Sequence, residues 1–112
     1  MDRPRIRHIA INVKDREKTA QYYKDVLKLE EKTRGPNGTI YLSDGFVDVA
    51  LINAPELPWG IHHFGFQVTS IKTIEELIGT TATQNVYGAI AESSIHDPEG
   101  NHVDVSEHGW PI

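Results

Sequence analysis

The sequence predicts an α+β fold of two tandem βαβββ modules, whose strands form one curved mixed sheet around a cup with the helices outside. His8–Val13 and His63–Val68 share the pattern His, apolar, small, apolar, amide, Val, with an offset of 55 residues. Val47–Val49 returns as Val103–Val105 with an offset of 56 residues. A near-constant offset between matched segments indicates duplication of one supersecondary unit. The period of the apolar residues then predicts the same order of elements in each half.

The first module begins with strict alternation, in which Ile9, Ile11 and Val13 share one face of a strand. Asp15 is placed to cap the following helix, whose apolar residues recur at helical spacing. Asp44-Gly45 is a tight hairpin signal before the last strand. We therefore predict a helix at Asp15–Leu27 and strands at Ile6–Val13, Leu29–Thr33, Thr39–Ser43 and Phe46–Asn53.

The second module follows a linker, Ala54–Trp59, that contains two prolines. Its helix runs from Ile71 to Ile78, capped by Ser70 or by the Thr73…Glu76 pair, and Gly79 can end it. Thr80–Tyr87 is predicted as a loop with a short strand at most. Strands are predicted at Gly60–Val68, Gly88–His96 and Asn101–Glu107. The chain is thus expected to be a single domain, 1–112, with modules at 1–54 and 60–108.

Composition limits the function. The formal charge is −5 and no basic stripe is present, which disfavours binding to nucleic acid. The absence of cysteine excludes disulfides, a thiolate nucleophile and thiolate-bound zinc. No apolar run approaches the length of a membrane span and no signal core is evident at the start. We therefore expect a soluble, cytoplasmic protein that does not bind a membrane.

Four residues of the small or polar strand faces form a candidate metal site: His8, Asp48, His63 and Asp104. Two imidazoles and two carboxylates give a mixed nitrogen and oxygen ligand set that suits Fe2+, Mn2+, Ni2+, Co2+ or Zn2+. Each residue taken alone is better explained as an ordinary polar residue of a half-exposed strand. Their matched positions in a repeat favour the metal site, with Asp48 the least certain ligand.

Other candidates are weaker. His62 has the opposite parity to His63 and is expected to face away from the cup, whereas His102 either lines the pocket mouth or lies exposed near a turn. Glu92 and Tyr41 lie on the third strands and are weak catalytic candidates, beside the alternative of a packing or solvated role. Two amides that share the face of the histidines are candidates to support a ligand or to bind substrate oxygens, namely Asn12 and Gln67.

The final hairpin carries the most specific motif, Asp97-Pro98-Glu99-Gly100-Asn101-His102-Val103-Asp104. It is similar to the final hairpin of the vicinal oxygen chelate superfamily, which includes glyoxalase I, bleomycin-resistance-type proteins and extradiol dioxygenases. The resemblance covers nearly the whole chain. It implies that His8, His63 and Asp104 are metal ligands and that Asp48 stands where the glyoxalase branch has a fourth. Both carboxylates are Asp where the family usually has Glu, so the site must close up, use a bridging water or leave Asp48 unbound.

The resemblance implies a metal-dependent enzyme that acts on a small substrate chelated through two adjacent oxygens. The reaction would be that of a glyoxalase-like lyase or isomerase, or that of a ring-cleaving dioxygenase. The alternatives are a non-catalytic small-molecule binding or resistance protein of the same fold, and a structural domain whose histidines and aspartates only form hydrogen bonds. Because two small modules leave exposed sheet edges, we also expect a homodimer.

Overall fold

The computed structural model describes residues 3–87 and 90–112 as two helices and eight strands. The helices are α1 (Arg16–Leu27) and α2 (Ile71–Ile78). The strands are β1 (Arg5–Asn12), β2 (Glu30–Arg34), β3 (Ile40–Ser43), β4 (Asp48–Ile52), β5 (Gly60–Gln67), β6 (Thr83–Tyr87), β7 (Ile90–His96) and β8 (His102–Ser106). The predicted strand at Gly88–His96 is confirmed from Ile90, and its first two residues lie outside the described part of the chain.

The strands form one sheet in the order β2-β3-β4-β1-β5-β8-β7-β6. In each half the first strand lies parallel to the last one, β1 with β4 and β5 with β8. The two halves meet where β1 pairs antiparallel with β5. The predicted curved mixed sheet of α+β type with two helices is thereby confirmed. The module limits at 1–54 and 60–108 remain a prediction, although both halves have the same strand order.

The register of the central strands decides which side chains meet. His8 pairs with Asp48 on one side and with Gly65 on the other. The pairing of β5 with β1 passes from Ala10↔His63 to Ile11↔Ile61, so His62 is an extra residue. An extra residue of this kind makes a β-bulge, which breaks the alternation of the strand and redirects a side chain.

The first module has a complete core behind the sheet. Asp15 accepts a hydrogen bond from the backbone N–H of Lys18 and so caps α1, as predicted. The helix packs its apolar face on the neighbouring strands, around Ala20, Ile40, Leu42 and Leu51. A second cluster lies on the concave side of the sheet and consists of Ala10, Tyr41, Ala50, Ile90 and Trp110. The small side chains of Ala10 and Ala50 at the floor of the cup therefore leave space for a cavity above them.

The second module is covered less completely. Ser70 accepts a hydrogen bond from the N–H of Thr73 and caps α2, which resolves the two predicted starts, and Gly79 ends the helix with a positive φ. The helix has no buried residue, and Leu77 is 79% exposed. The predicted loop at Thr80–Tyr87 contains the short strand that the βαβββ order requires, Thr83–Tyr87, which pairs with β7. Neither described helix is long and apolar enough to cross a membrane.

The C-terminal tail closes over the cup through Trp110, which is 7% exposed. Its ring stacks on the imidazole of His8, with 4.5 Å between centroids and 3° between planes. A Cβ added at Gly65 would lie 2.8 Å from the Trp110 ring and 3.2 Å from the Cβ of Asp104. Glycine is therefore required at this interior strand position because another side chain occupies the space.

We predict that Gly65→Ala destabilises the protein by about 1–3 kcal/mol, because the added methyl group overpacks the contact with Trp110. Urea unfolding monitored by circular dichroism measures the change. In the double variant with Trp110→Phe, the smaller ring should relieve part of the clash, so the two effects should not add. Full additivity would show that Gly65 and Trp110 do not compete for one space.

Candidate metal centre

Three donor atoms from β1, β5 and β8 converge above the floor of the cup. The Nε2 atom of His8 lies 3.1 Å from the Nε2 atom of His63. The Oδ2 atom of Asp104 lies 2.9 Å from His63 Nε2 and 3.7 Å from His8 Nε2. The structure thus brings together three of the four predicted ligands, two of which are buried.

Asp48 lies behind His8 and not beside the other donors. Its Oδ2 atom is 2.6 Å from His8 Nδ1, the ring nitrogen that points away from the cluster. Burial raises the pKa of Asp48 to about 8, and burial lowers the pKa of His8. Burial of both groups favours an uncharged pair, in which the Asp48 carboxyl donates its proton to Nδ1. Ligation of an ion through Nε2 requires the other tautomer, in which Nδ1–H donates to an ionised Asp48 and the lone pair of Nε2 is directed into the cluster.

Asp104 is held by two further side chains. Its Oδ1 atom accepts a hydrogen bond from the hydroxyl of Ser94 and lies 2.5 Å from His102 Nε2. Burial tends to raise the pKa of Asp104, but the contacts with His102 and His63 outweigh it and hold the pKa below its usual range. The carboxylate is therefore ionised at neutral pH and its orientation is fixed.

The donor set fits a divalent ion. Ligand atoms about 2.1 Å from one ion stand roughly 3.0–3.4 Å apart at octahedral or tetrahedral angles, close to the separations of these three atoms. Asp104 Oδ2 is buried and has no hydrogen bond of good geometry from any described residue, although His63 Nε2 lies 2.9 Å away. A buried acceptor without a partner is costly, and a cation at this point would remove that cost. Asp48 Oδ1 is the other buried oxygen without a partner among the described side chains.

A second group of imidazoles is also close enough to share an ion: His62, His63 and His102. The rings of His63 and His102 are stacked, with 4.2 Å between centroids and 13° between planes. A lone pair lies in the plane of its imidazole, so two stacked rings cannot direct their lone pairs to one point. The geometry therefore favours the set of His8, His63 and Asp104.

His62 does not face away from the cup as its parity predicted. The bulge in β5 turns it toward His63, whose Nδ1 atom lies 2.6 Å from His62 Nδ1. Burial lowers the pKa of both His62 and His63, which favours two neutral rings that share one proton. His62 is thus to His63 what Asp48 is to His8, a partner on the ring nitrogen remote from the cluster.

A cavity of about 290 Å³ opens beside the donor atoms. Glu92 lines it, with one oxygen 4.0 Å from His8 Nε2 and hydrogen-bonded to the indole N–H of Trp110 at 2.7 Å. Burial raises the pKa of Glu92 to about 7, and the nearby charge of Asp104 adds to this. Tyr41 lies in the wall and is buried. Both weak catalytic candidates thus border the same cavity, and His102 also lines it.

The two candidate amides have other tasks. Asn12 donates to the carbonyl oxygens of Ala54, Leu57 and Pro58 and so anchors the linker between the halves. Gln67 donates to the carbonyl of Glu107. Trp110 was not among the site residues predicted from the sequence. The residue that could have indicated it is Gly65, because a glycine inside a strand marks a close approach by another group.

Comparison with known proteins extends these observations. The sequence model of the Glyoxalase/Bleomycin resistance protein/Dioxygenase superfamily matches residues 5–86. No curated protein sequence matches the chain.

Several solved structures share the fold. A hypothetical protein from Bacillus halodurans is 23% identical, with a TM-score of 0.71 and coverage of 91% of this chain and 92% of that one. The 2,3-dioxygenase LapB from a Pseudomonas species is 23% identical, with a TM-score of 0.75, and the match covers 96% of this chain but 42% of that one. A Streptomyces coelicolor methylmalonyl-CoA epimerase is 17% identical, with a TM-score of 0.72 and coverage of 90% and 94%.

The structural matches establish the fold, and the sequence match spans most of the chain. The chain therefore belongs to the Glyoxalase/Bleomycin resistance protein/Dioxygenase superfamily.

Proposed function

We propose that this protein is a metal-dependent enzyme that acts on a small substrate through two adjacent oxygens, with His8, His63 and Asp104 as the metal ligands. The observation that carries the proposal is the convergence of these three donors around a buried carboxylate oxygen to which no described residue donates a hydrogen bond of good geometry. Such a set suits Fe2+, Mn2+, Ni2+, Co2+ or Zn2+. We infer that the enzyme is soluble and lies in the cytoplasm.

The two histidines of this set line the cavity, so the open side of the set faces the space in which a substrate would lie. An ion held there would supply Lewis acidity to the two substrate oxygens and stabilise negative charge that develops on them. The chain itself fixes the donor atoms. Asp48 orients His8, and His102 with Ser94 orients Asp104. Asp48 is thus proposed as a supporting carboxylate and not as a fourth ligand.

Glu92 is the proposed acid–base group. Its carboxylate lines the cavity close to His8, and the indole N–H of Trp110 fixes one oxygen. A carboxylate at this place can accept a proton from a substrate carbon next to the chelating oxygens and return it. This favours proton-transfer chemistry of the lyase or isomerase kind.

Ring cleavage with O₂ is the second candidate reaction. Two histidines and one carboxylate on one side of an ion form the arrangement that Fe2+ oxygenases use. The position of Asp48 behind His8 favours this three-ligand set. The solved structures with a similar fold include one enzyme named as an epimerase and one named as a 2,3-dioxygenase. Oxygen uptake with catechol by the Fe2+-loaded protein distinguishes the two reactions.

We also propose that the protein is a homodimer. On the back of the second module Phe64 and Phe66 are half-buried, Ile61 is 77% exposed, and α2 has no buried residue. A second copy would cover this apolar surface. The edge strand β2 is rich in charged residues, which disfavours edge-to-edge pairing there.

We predict that the chelator-treated protein binds one divalent ion per chain. His63→Ala should abolish binding, because it removes the donor that lies close to both others. Asp48→Asn should weaken binding about 10- to 100-fold through loss of the carboxylate that orients His8. Equilibrium dialysis with elemental analysis measures both effects, and His108→Ala, in the exposed tail, serves as the control. Equal binding by His63→Ala and wild type would contradict the proposed site.

Ligand-induced stabilisation that is insensitive to chelator would favour a non-catalytic binding protein.

Glu92→Gln should retain the ion but slow proton transfer by about 10²- to 10⁴-fold. Exchange of the carbon-bound protons of hydroxyacetone in D₂O, followed by NMR with the metal-loaded protein, measures the rate. Glu99→Gln removes a carboxylate from an exposed turn and should leave the rate unchanged. Unchanged exchange in Glu92→Gln would remove this residue from the mechanism.

Sedimentation should give about twice the chain mass of 12.6 kDa. Leu77→Lys should shift the protein toward the monomer, since it places a charge on the apolar back of the second module. Lys18→Glu on α1 is the matched surface change and should leave the mass unaffected. A monomeric wild-type protein at micromolar concentration would overturn the proposed dimer.

A further inference from the structure

The cavity that begins at the metal donors has a second end with a different chemistry. Arg16, Asn37, Thr39 and Asn53 line it there. Arg16 is the first residue of α1 and follows β1 after a short loop. Because β1 and β4 are parallel, their C-terminal ends lie at the same edge of the sheet, and this edge forms the second end of the cavity.

The Arg16 guanidinium is seated on the turn between β2 and β3. Its Nη1 atom donates to the carbonyl of Asn37 at 3.2 Å. Gly38 has a φ of +88°, and a Cβ at this position would lie 2.7 Å from Arg16 Nη2. The missing side chain at Gly38 therefore allows the guanidinium to lie against the backbone, which fixes its position at the cavity wall.

No carboxylate is paired with Arg16 in the described part of the chain, although acidic residues flank it in the sequence. Asp15 is used as the cap of α1. Glu17 is bound by Arg34, with 2.9 Å from Nη2 to Oε1. Arg16 is half-buried, and its one hydrogen bond to a described residue leaves most of its five N–H donors available.

The charges along the cavity wall are separated. Arg16 is the only Lys or Arg, and Glu92 the only carboxylate, among the described residues that line it. Glu92 lies at the metal end, close to His8. In a chain with a formal charge of −5, one unpaired guanidinium in a cavity creates a local site for an anion.

We propose that Arg16 binds an oxyanion, a carboxylate or a phosphate, at the far end of the substrate whose two adjacent oxygens lie at the metal donors. The placement of the two adjacent oxygens at the metal donors rests on the proposed function. The guanidinium fork matches the geometry of either oxyanion. The cavity volume of about 290 Å³ limits the substrate to a small molecule. The substrate is thus a short molecule with a chelating head and an acidic tail.

Hydroxamates with an acidic tail test this proposal, because a hydroxamate presents two adjacent oxygens and does not react. Three series with two to five methylene groups are compared, ending in a carboxylate, a phosphonate or a neutral carboxamide. Binding is measured from the fluorescence of Trp110 and Trp59 and by calorimetry, with the Zn2+-loaded and the chelator-treated protein. We expect at least one acidic tail to bind about tenfold more tightly than the carboxamide of the same length. The preferred tail identifies the oxyanion.

In Arg16→Gln the acidic and the carboxamide tails should bind about equally, and Arg16→Lys should retain part of the preference for the acidic tail. Lys18→Gln removes one positive charge from the same turn of α1 and should leave the preference intact. A preference that is absent from wild type, or retained in Arg16→Gln, overturns the proposal. A preference that persists while Zn2+ adds no affinity would support the role of Arg16 and contradict the metal function. Failure of every hydroxamate to bind either form overturns both.

Discussion

The antiparallel pairing of β1 with β5 is the contact on which the candidate site depends. It joins the two halves of the sheet and sets His63 opposite Ala10, two residues from His8. Their Nε2 atoms then meet at 3.1 Å above the small side chain of Ala10. The parallel strands β4 and β8 lie on either side of this pair and bring in the two aspartates. A change in the register of β1 against β5 would separate the two imidazoles, and the donor atoms would no longer converge.

The register of the outer strands explains why the two aspartates take different roles. Asp48 is directly beside His8 and contacts its rear nitrogen, whereas Asp104 is directly beside Gly65 and not beside His63. The absence of a side chain at Gly65 leaves space that Asp104 and Trp110 share. A carboxylate on a short arm therefore reaches the cluster in the second half only. This asymmetry accommodates Asp where the family resemblance implied the longer Glu.

Much of the fold followed from the sequence, because strand alternation, helix caps and the internal repeat are local signals. The helix α1 begins at its predicted cap, Asp15, and α2 begins at Ser70, one of its two predicted caps, and ends at Gly79. The candidate ligands also came from parity, which located His8, His63 and Asp104 on one face. Parity failed at His62, because a bulge adds a residue to one strand and depends on pairing with a partner that is distant in the sequence. The roles of Trp110 and Arg16 depend on long-range packing and have no periodic signal.

The rear partners of the two imidazoles make the cluster electrically unequal. His8 has a buried carboxylate behind it, whereas His63 has a second imidazole, His62, that lies at the cavity wall. A carboxylate increases the electron density of a ligating imidazole and holds its ring more firmly than a neutral ring does. In the proposed site, His8 would therefore be the stronger and more rigid donor, and His63 the more adaptable one. In the proposed site His63 lies closer to Asp104 than His8 does, so adjustment to ions of different size would fall mainly on β5, the strand that carries the bulge.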